Sequence, residues 1–493
     1  MNPVLKWFLI VTGGLSAVFV LLVLFVKYYV IVNIPIISGD LDTDKLSNQI
    51  KLPDGFSMGV YAPEVPDARI LRFTEHGDLL VANPSLDQVM ILGRDANGDG
   101  KADGSRVLID DLNGPNGLDF FDDWLYIAET DAIGRIKFDH LTGETKGDYH
   151  RIVRGLPSGG GHWRKTLRFG PDNLMYVSMG SSCNVCIEED ERYAAMVRYQ
   201  PDGSGEKIFA RGMRNSAGFD WSPDDGHIYA TDNGRDLLGD DFPPCELNRI
   251  EEGSHYGWPF ANGSKVPDPD FGEGQEDAIA TSIPPVHGFR AHNAPLGIEF
   301  VRGDVLPEEY RGAAIVALHG SWNRAEKDGY KVVSLHWDEQ GNVVEKDFVS
   351  GFLQGDDVIG RPTEVTQGPD GAFYIADDFV GAVYRVAYGE EQKLEIVVAE
   401  SKPEFSAEET LVSYSADERS TLSAQGETIF RAKVCISCHN PNGSGLKVLE
   451  KIGVKHNIQT LAQLFAKPTP PMPIFPLSDA EREALAVYLI ESY

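Results

Sequence analysis

Residues 365–378 read VTQGPDGAFYIADD: a Gly-Pro-Asp-Gly turn followed by Ala372, Phe373, Tyr374, Ile375 and Ala376. Pro, Asp and Gly are turn formers, and a short aromatic, β-branched run bounded by them reads as a strand. The phrase recurs along the chain. It appears as FTEHGDLLVAN from Phe73, LDFFDDWLYIAET from Leu118, LRFGPDNLMYVSM from Leu167 and FDWSPDDGHIYATD from Phe219, and in looser form from Ile298 to Gly320. Aligning Val81, Ile127, Val177, Ala230, Ala317 and Ile375 gives intervals of about 45 to 60 residues, with one near 85. A four-stranded sheet with its loops needs about 40 to 50 residues, so the repeat predicts a mainly β chain, a β-propeller of six blades over residues 52–388. The long interval is expected to hold an inserted loop. One blade cannot bury both its faces; closing the ring supplies the packing. A β-sandwich is the alternative, but its repeat would be shorter.

The flanks differ in character. From Trp7 to Val26 the chain reads WFLIVTGGLSAVFVLLVLFV, 20 residues without a charge, long enough to cross a bilayer as a helix. A cleaved signal peptide has a shorter apolar core and a small-residue cleavage site. The reading is therefore an uncleaved single-pass anchor over residues 1–32, followed by a linker at 33–51. Residues 389–423 are acidic and poor in aromatics and read as a second linker. Residues 424–493 form a helical domain that closes with LSDAEREALAVYLIESY, where Ser478 and Glu481 make a capping box and Leu485, Ala486, Tyr488 and Leu489 line one face.

The net charge of −31 repels phosphate and argues against a nucleic-acid partner. Five cysteines are too few for a disulfide scaffold. Four form two CxxC pairs, Cys183–Cys186 and Cys435–Cys438, and Cys245 stands apart. Cys435-Ile436-Ser437-Cys438-His439 is the attachment signature of a c-type haem, in which two thioethers hold the macrocycle and the histidine ligates iron. Met472, in PTPPMPIF, is the expected second axial ligand and His456 its rival. The unit resembles a small class I cytochrome c domain. Haem attachment of this kind takes place outside the cytoplasm, so the chain beyond Val26 is expected on the periplasmic side of the inner membrane. The first pair lacks the histidine, and Ile187 stands there instead. No other CxxC remains to complete a four-sulfur zinc site with it. In an oxidising compartment the pair is expected to close a short disulfide, with a redox relay as the alternative.

Three clusters inside the propeller carry chemistry. GGGHWRKTLRFG places His162 after three glycines, where a ligand can approach closely and a loop imidazole can take a proton. ARGMRNSAGFDW offers Arg214 and Asn215, a planar fork and an amide suited to a flat anionic partner. DNGRDLLGDDFPPCELN brings Asp232, Asp236, Asp240, Asp241 and Glu246, hard oxygen ligands suited to calcium. A fourth loop, RDANGDGKADG, spaces Asp95, Asn97, Asp99 and Asp103 like the start of a calcium loop with Gly100 at the turn, though Arg106 stands where an EF-hand has its bidentate Glu. Structural calcium and a plain acidic turn both remain open there. Singly, each feature also has a bland reading as a satisfied loop side chain.

Together with HNAPLG from His292, HGSWNR from His319, GYKV from Gly329 and GRPTEV from Gly360, these clusters make residues 52–388 resemble the pyrroloquinoline quinone (PQQ) dependent aldose sugar or sorbosone dehydrogenases. The resemblance implies that His162 is the general base and that Arg214 and Asn215 hold PQQ and orient its reactive carbonyl. It implies that Arg361, with Arg324 or Lys331, contacts the cofactor. It places backbone oxygens of Asp240 and Asp241 on the cofactor calcium and Glu246 on a neighbouring one, with Cys245 standing where an acid is expected. The implied activity is oxidation of a sugar, alcohol or aldehyde, with electrons passing to the attached haem c and on to a respiratory quinone, oxidase or soluble cytochrome. A calcium-dependent lactonase or other hydrolase would explain the acidic loops but not the haem. A non-catalytic docking module would explain neither His162 nor the Arg214–Asn215 pair.

Overall fold

The computed structural model describes residues 38–389 and, beyond them, 410–412, 414–433, 435, 439, 449, 452–466 and 475–492. The predicted membrane helix, most of the acidic linker, Cys438 and Met472 lie outside the described residues. Among those described, no helix is long and apolar enough to cross a membrane. The chain divides into two compact units, Met1–Ile396 and Val397–Tyr493.

The first unit is a six-bladed propeller. Six four-stranded sheets follow one another along the chain. Their innermost strands are Leu71–Phe73, Gly117–Phe121, Lys165–Phe169, Phe219–Trp221, Pro295–Phe300 and Pro362–Gln367. Each is followed by an antiparallel second strand: Leu79–Asn83, Trp124–Ala128, Met175–Met179, Ile228–Asp232, Ala314–Leu318 and Phe373–Asp377. The six aligned residues Val81, Ile127, Val177, Ala230, Ala317 and Ile375 all fall on these second strands and are fully buried. Such strands are covered on both faces by neighbouring blades, which is why they read as continuous apolar runs. The ring closes through its last blade, where Phe56–Ala62 pairs antiparallel with the C-terminal strand Ala382–Tyr388.

The recurring turn has a local cause. Tyr176, Tyr229 and Tyr374 each donate a phenolic hydrogen bond to the carboxylate four residues earlier, Asp172, Asp225 and Asp370, at 2.9, 2.9 and 3.1 Å. The other oxygen of each Asp accepts a turn N–H, from Leu174, His227 and Ala372. The motif thus fixes the hairpin between inner and second strands. The long interval is an insertion in the fourth blade, between Ile250 and His287, with a small hairpin (Ala261–Asn262 with Val266–Pro267) and a helix, Glu276–Thr281.

The segment expected to be a linker at 33–51 is partly folded onto the propeller. Helix Thr43–Gln49, capped by Asp42, buries Leu46 against Phe56, Phe348 and Phe352, with Ile50 and Leu52 packed beside it. Its apolar residues are too few to show a helical period, so the sequence hid it.

Along the propeller axis the inner strands bring together one charged residue per blade: Arg72, Asp119, Arg168, Asp220, Glu299 and Glu364. Arg72 faces Asp119 at 3.4 Å, Arg168 lies 3.2 Å from Asp220 and 3.4 Å from Glu299, and Arg302 adds contacts of 2.9 and 3.2 Å to the same two acids. Glu364 completes the set, and burial pushes its carboxyl up to about 8.

In the second unit, helix Ala416–Ala432 starts at a Ser415–Glu418 capping box, inside the stretch read as linker. It crosses the last helix, Asp479–Ser492, so closely that a Cβ on Gly426 would meet Tyr488 Cβ at 2.5 Å. The predicted Ser478–Glu481 cap is present. Phe430, Leu461, Phe465, Leu485 and Leu489 make the core, with Cys435 packed against it. The His439 N–H reaches the Cys435 carbonyl at 2.9 Å, one helical turn.

Candidate active site

Propeller topology decides where loops converge. Arg69, Gly114 to Asn116, His162 to Arg164, Arg214 to Ser216, His292 to Ala294 and Arg361 lie just before the six inner strands. The turns after the second strands, including Gly180 to Ser182, Asp232 to Asp236, His319 to Arg324 and Asp377 to Phe379, arrive at the same end. The three sequence clusters therefore meet at one mouth.

His162 sits at this mouth with one ring nitrogen held by the protein. Its Nδ1 lies 3.0 Å from both the carbonyl and the hydroxyl of Ser181. The Ser181 hydroxyl donates to the Cys183 carbonyl at 2.6 Å, so it presents lone pairs to the imidazole. Both oxygens then accept one Nδ1–H. That selects the tautomer with an unprotonated Nε2, which has no protein partner among the described residues. Burial, and then the Arg214 guanidinium, hold the imidazole down to about 4 against a weaker upward pull from Asp236. At neutral pH His162 is an uncharged acceptor. Gly180 permits this packing, because a Cβ there would meet His162 Cβ at 2.5 Å and Asn215 Oδ1 at 2.8 Å.

Arg214 is buried, and all five of its N–H donors are engaged. Nε donates to the Asn184 carbonyl at 2.9 Å. Nη1 donates to the carbonyls of Asn233 and Gly234 at 3.2 and 2.9 Å. Nη2 donates to Asn184 Oδ1 at 2.9 Å and to Asp236 at 2.8 Å. What Arg214 offers the mouth in this conformation is its field, not a free donor. Asn215 follows it, anchored by its N–H on Asp232 at 2.6 Å, and its side-chain amide has no partner among the described residues. Cys183 and Cys186 are joined as a disulfide, and Asn184 between them ties this loop to Arg214.

The other half of the mouth joins Arg361, which the resemblance names, to Arg69, Arg164 and Asp378, which sequence reading missed. Asp378 accepts from Arg69 at 2.6 Å, from Arg361 Nε at 2.7 Å and from His319 at 3.1 Å. His319, Arg69 and Arg361 hold it well below the usual carboxylate range despite its burial. Arg164, stacked at 4.5 Å on Trp163, joins them. Burial, and then Arg69, lower it to about 10, and its buried Nε has no partner among the described residues. Nη1 and Nη2 of Arg361 likewise have no acceptor among the described residues. Three guanidiniums around Asp378 leave an excess of positive charge and several unused donors, which suits a planar polycarboxylate. The sequence held one clue to Arg164, its place two residues after His162.

Oxygen ligands are a separate matter. Asp232 and Glu246 are cross-strand neighbours and both buried, and burial raises their carboxyls to about 7 and about 8. The Oδ1 atoms of Asn233 and Asn248 beside them are buried without partners among the described residues. Two strained acids and two orphaned amide oxygens fit a calcium ion. Asp240 and Asp241 do not fit one in this conformation. The Arg324 guanidinium donates to the Asp240 carbonyl and lies 3.4 Å from Asp241 Oδ1, putting a cation where the expected calcium would sit. Lys331 is not brought to the mouth; its ammonium lies 2.6 Å from Asp347 and 3.8 Å from Glu345 on the neighbouring outer strand. The Asp95 loop joins the outer two strands of the first blade, at the opposite end. Its oxygens accept the N–H groups of Ala96, Gly98, Asp99, Gly100 and Lys101. A cavity of about 570 Å³ also opens at that end, between Arg72, Glu75, Asp119, Asp123 and His140.

Solved structures that resemble the chain include the holo PQQ domain of a pyranose dehydrogenase from Coprinopsis cinerea, with TM-score 0.59 and 20% identity over 69% of this chain and 97% of that one. A calcium structure of a Trichoderma reesei family AA12 carbohydrate-active enzyme gives 0.60 and 20%, over 69% and 97%. The apo soluble aldose sugar dehydrogenase of Escherichia coli gives 0.52 and 17%, over 68% and 99%. At these identities the likeness establishes the propeller fold. In sequence, an "Uncharacterized protein" of Borreliella burgdorferi is 31% identical over 360 residues, 70% of this chain and 92% of its own length. One of Synechocystis is 27% identical over 283 residues, 51% and 61% of the two chains. Residues 44–395 match the family described as "Domain of unknown function (DUF7133)", and the chain belongs to that family.

Proposed function

We propose that the propeller is a PQQ-dependent dehydrogenase of sugars or related alcohols and aldehydes, and that the second unit carries a c-type haem that takes up its electrons. The observation that carries this reading is the pairing, in one mouth, of a neutral histidine with bare Nε2 and a cluster of three arginines around one carboxylate. PQQ, when bound, supplies an ortho-quinone that accepts hydride from a substrate carbon. Arg69, Arg164 and Arg361 bind the carboxylates of such a ligand, and Asn215 has an uncommitted amide for its edge. His162 Nε2 takes the substrate hydroxyl proton, worth about 10² to 10⁴ in rate for a positioned base. Burial, and then the Arg214 guanidinium, keep the imidazole unprotonated beforehand. Asp232 and Glu246, with Asn233 and Asn248, would hold a calcium ion that fixes the loop behind Arg214. The solved neighbours named for PQQ and for calcium agree with this chemistry.

The second unit's part rests on the Cys435–Cys438–His439 signature, with Met472 as the sixth ligand and the close helix crossing at Gly426 as scaffold. Haem c, when attached, supplies a one-electron carrier. Residues 7–26 would anchor the protein in the inner membrane with both units on the periplasmic side, near a respiratory acceptor. The test is to purify the full chain, add PQQ and calcium, and follow haem absorbance while aldoses, alcohols and aldehydes are offered. Haem reduction by at least one of them is expected. Bound PQQ with no reduction by any of them would refute the reading.

A further inference from the structure

We propose that the Cys183–Cys186 loop is a positioning element for His162, acting through Ser181 and Arg214 with Asn184 as its fixing residue, and that reduction of the disulfide disarms the base. The inference rests on the reading of His162 as the proton acceptor of the mouth. Two routes run from the loop to the imidazole. The Cys183 carbonyl accepts from the Ser181 hydroxyl at 2.6 Å, which turns that hydroxyl's lone pairs to His162 Nδ1 at 3.0 Å. Asn184 holds Arg214 by two bonds of 2.9 Å. It holds the facing loop by two more, from the Asp236 N–H at 2.8 Å and to the Asp236 carbonyl at 3.1 Å. The Trp258 indole donates to the Asn184 carbonyl at 3.4 Å. At the far side Glu188 accepts the Ser182 N–H and hydroxyl at 2.7 and 2.8 Å.

The cross-link spans a sequence separation of only 3. A ring this short removes little chain entropy, so the global fold depends little on it. Its effect is local, because it holds the Cys183 carbonyl and both ends of the Asn184 side chain in one arrangement. A dithiol such as dithiothreitol reverses this. The S–S bond breaks, two S–H bonds form with two electrons and two protons from the reagent, and the reagent closes to its own cyclic disulfide. The freed loop then releases Arg214 and the Ser181 hydroxyl. The charged groups acting on His162 are Arg214, which opposes protonation, and Asp236, which favours it. Loosening Arg214 and admitting water both make protonation easier.

The experiment reads His162 directly, without cofactor. The full chain is labelled with ¹⁵N-histidine, and long-range ¹H–¹⁵N spectra are recorded from pH 4 to 8, with His162 assigned by its loss in His162→Gln. The oxidised protein is expected to show the Nδ1–H tautomer with a midpoint below pH 5. In Asn184→Ala, and in wild-type protein reduced by dithiothreitol, the midpoint is expected to move up by at least one unit and the Nε2–H tautomer to appear. Val185→Ala should change neither. Reduced wild type carries the test if Asn184→Ala fails to fold. An unchanged midpoint and tautomer on reduction overturns the proposal. A chain that binds no PQQ but shows the shift would refute the dehydrogenase reading and leave the positioning intact.

Discussion

Arg361 offers the sharpest test of how the mouth holds its ligand. Among the described residues it gives one hydrogen bond to protein, Nε to Asp378 at 2.7 Å, and its side chain is 19% exposed. Nη1 and Nη2 are therefore available to a ligand carboxylate. Charge-assisted bonds of this kind contribute about 1.5 to 3 kcal/mol each. Arg361→Gln removes both and one positive charge, while water reaching a partly open site recovers some of the loss. A net cost of about 2 to 3 kcal/mol, or roughly 30- to 100-fold in Kd for PQQ, follows at 1.4 kcal/mol per tenfold. Asp378 keeps Arg69 and His319 as partners, so the variant should fold. Lys331→Gln is the control that separates geometry from family resemblance. Its ammonium is held by Asp347 and Glu345, so Kd should stay within about twofold of wild type. Titration calorimetry of PQQ into purified apo protein at fixed salt measures both. Wild-type affinity in Arg361→Gln, or an equal loss in Lys331→Gln, would refute the arginine-cluster account.

Three further outcomes are expected. His162→Gln should lower turnover by about 10² to 10⁴ with PQQ affinity nearly unchanged, and wild-type turnover should be flat from pH 6 to 8, because the base is held down to about 4; stopped-flow haem reduction reads both, and an acid limb near pH 6.5 would count against it. Calcium should raise the melting temperature of wild-type apo protein, by an amount equivalent to about 2.7 kcal/mol at 100 times its Kd, and Glu246→Gln should lose that increment in calorimetry. Burial raises the Glu364 carboxyl to about 8 from its ordinary value of 4.5, so the folded state binds more protons between those values. Its contribution is complete below pH 4.5 and is lost as pH rises towards 8. Urea unfolding should show wild type losing on the order of a few kcal/mol more than Glu364→Gln from pH 5 to pH 8, and parallel profiles would show that the axial carboxyl is not strained.

Sequence carried the blade phase because its determinant is local. The Asp that turns each hairpin and the Tyr that bonds to it are four residues apart, as at Asp172–Tyr176. His162 was legible for a similar reason, since a run of glycines before a histidine marks close approach. Arg69 had no such mark. It meets Asp378 across 309 residues, a contact that exists only because the ring closes, and nothing in PDARILRF announces it. The engagement of Arg324 was hidden for the same reason. Its guanidinium lies on a carbonyl 84 residues away, so family position suggested the cofactor where packing supplies a backbone clamp. The disulfide was readable from compartment and spacing, but its bearing on His162 was not, because the link runs through the Ser181 hydroxyl and the Arg214 fork. One rule would have recovered part of the missing half. In a propeller, residues just before each inner strand reach the same mouth, so counting back from Leu71 and Lys165 yields Arg69 and Arg164, beside the Arg361 before Pro362 that the resemblance already names. Charge gathered at equivalent positions of separate blades is a site signal even when each arginine, taken alone, looks like surface.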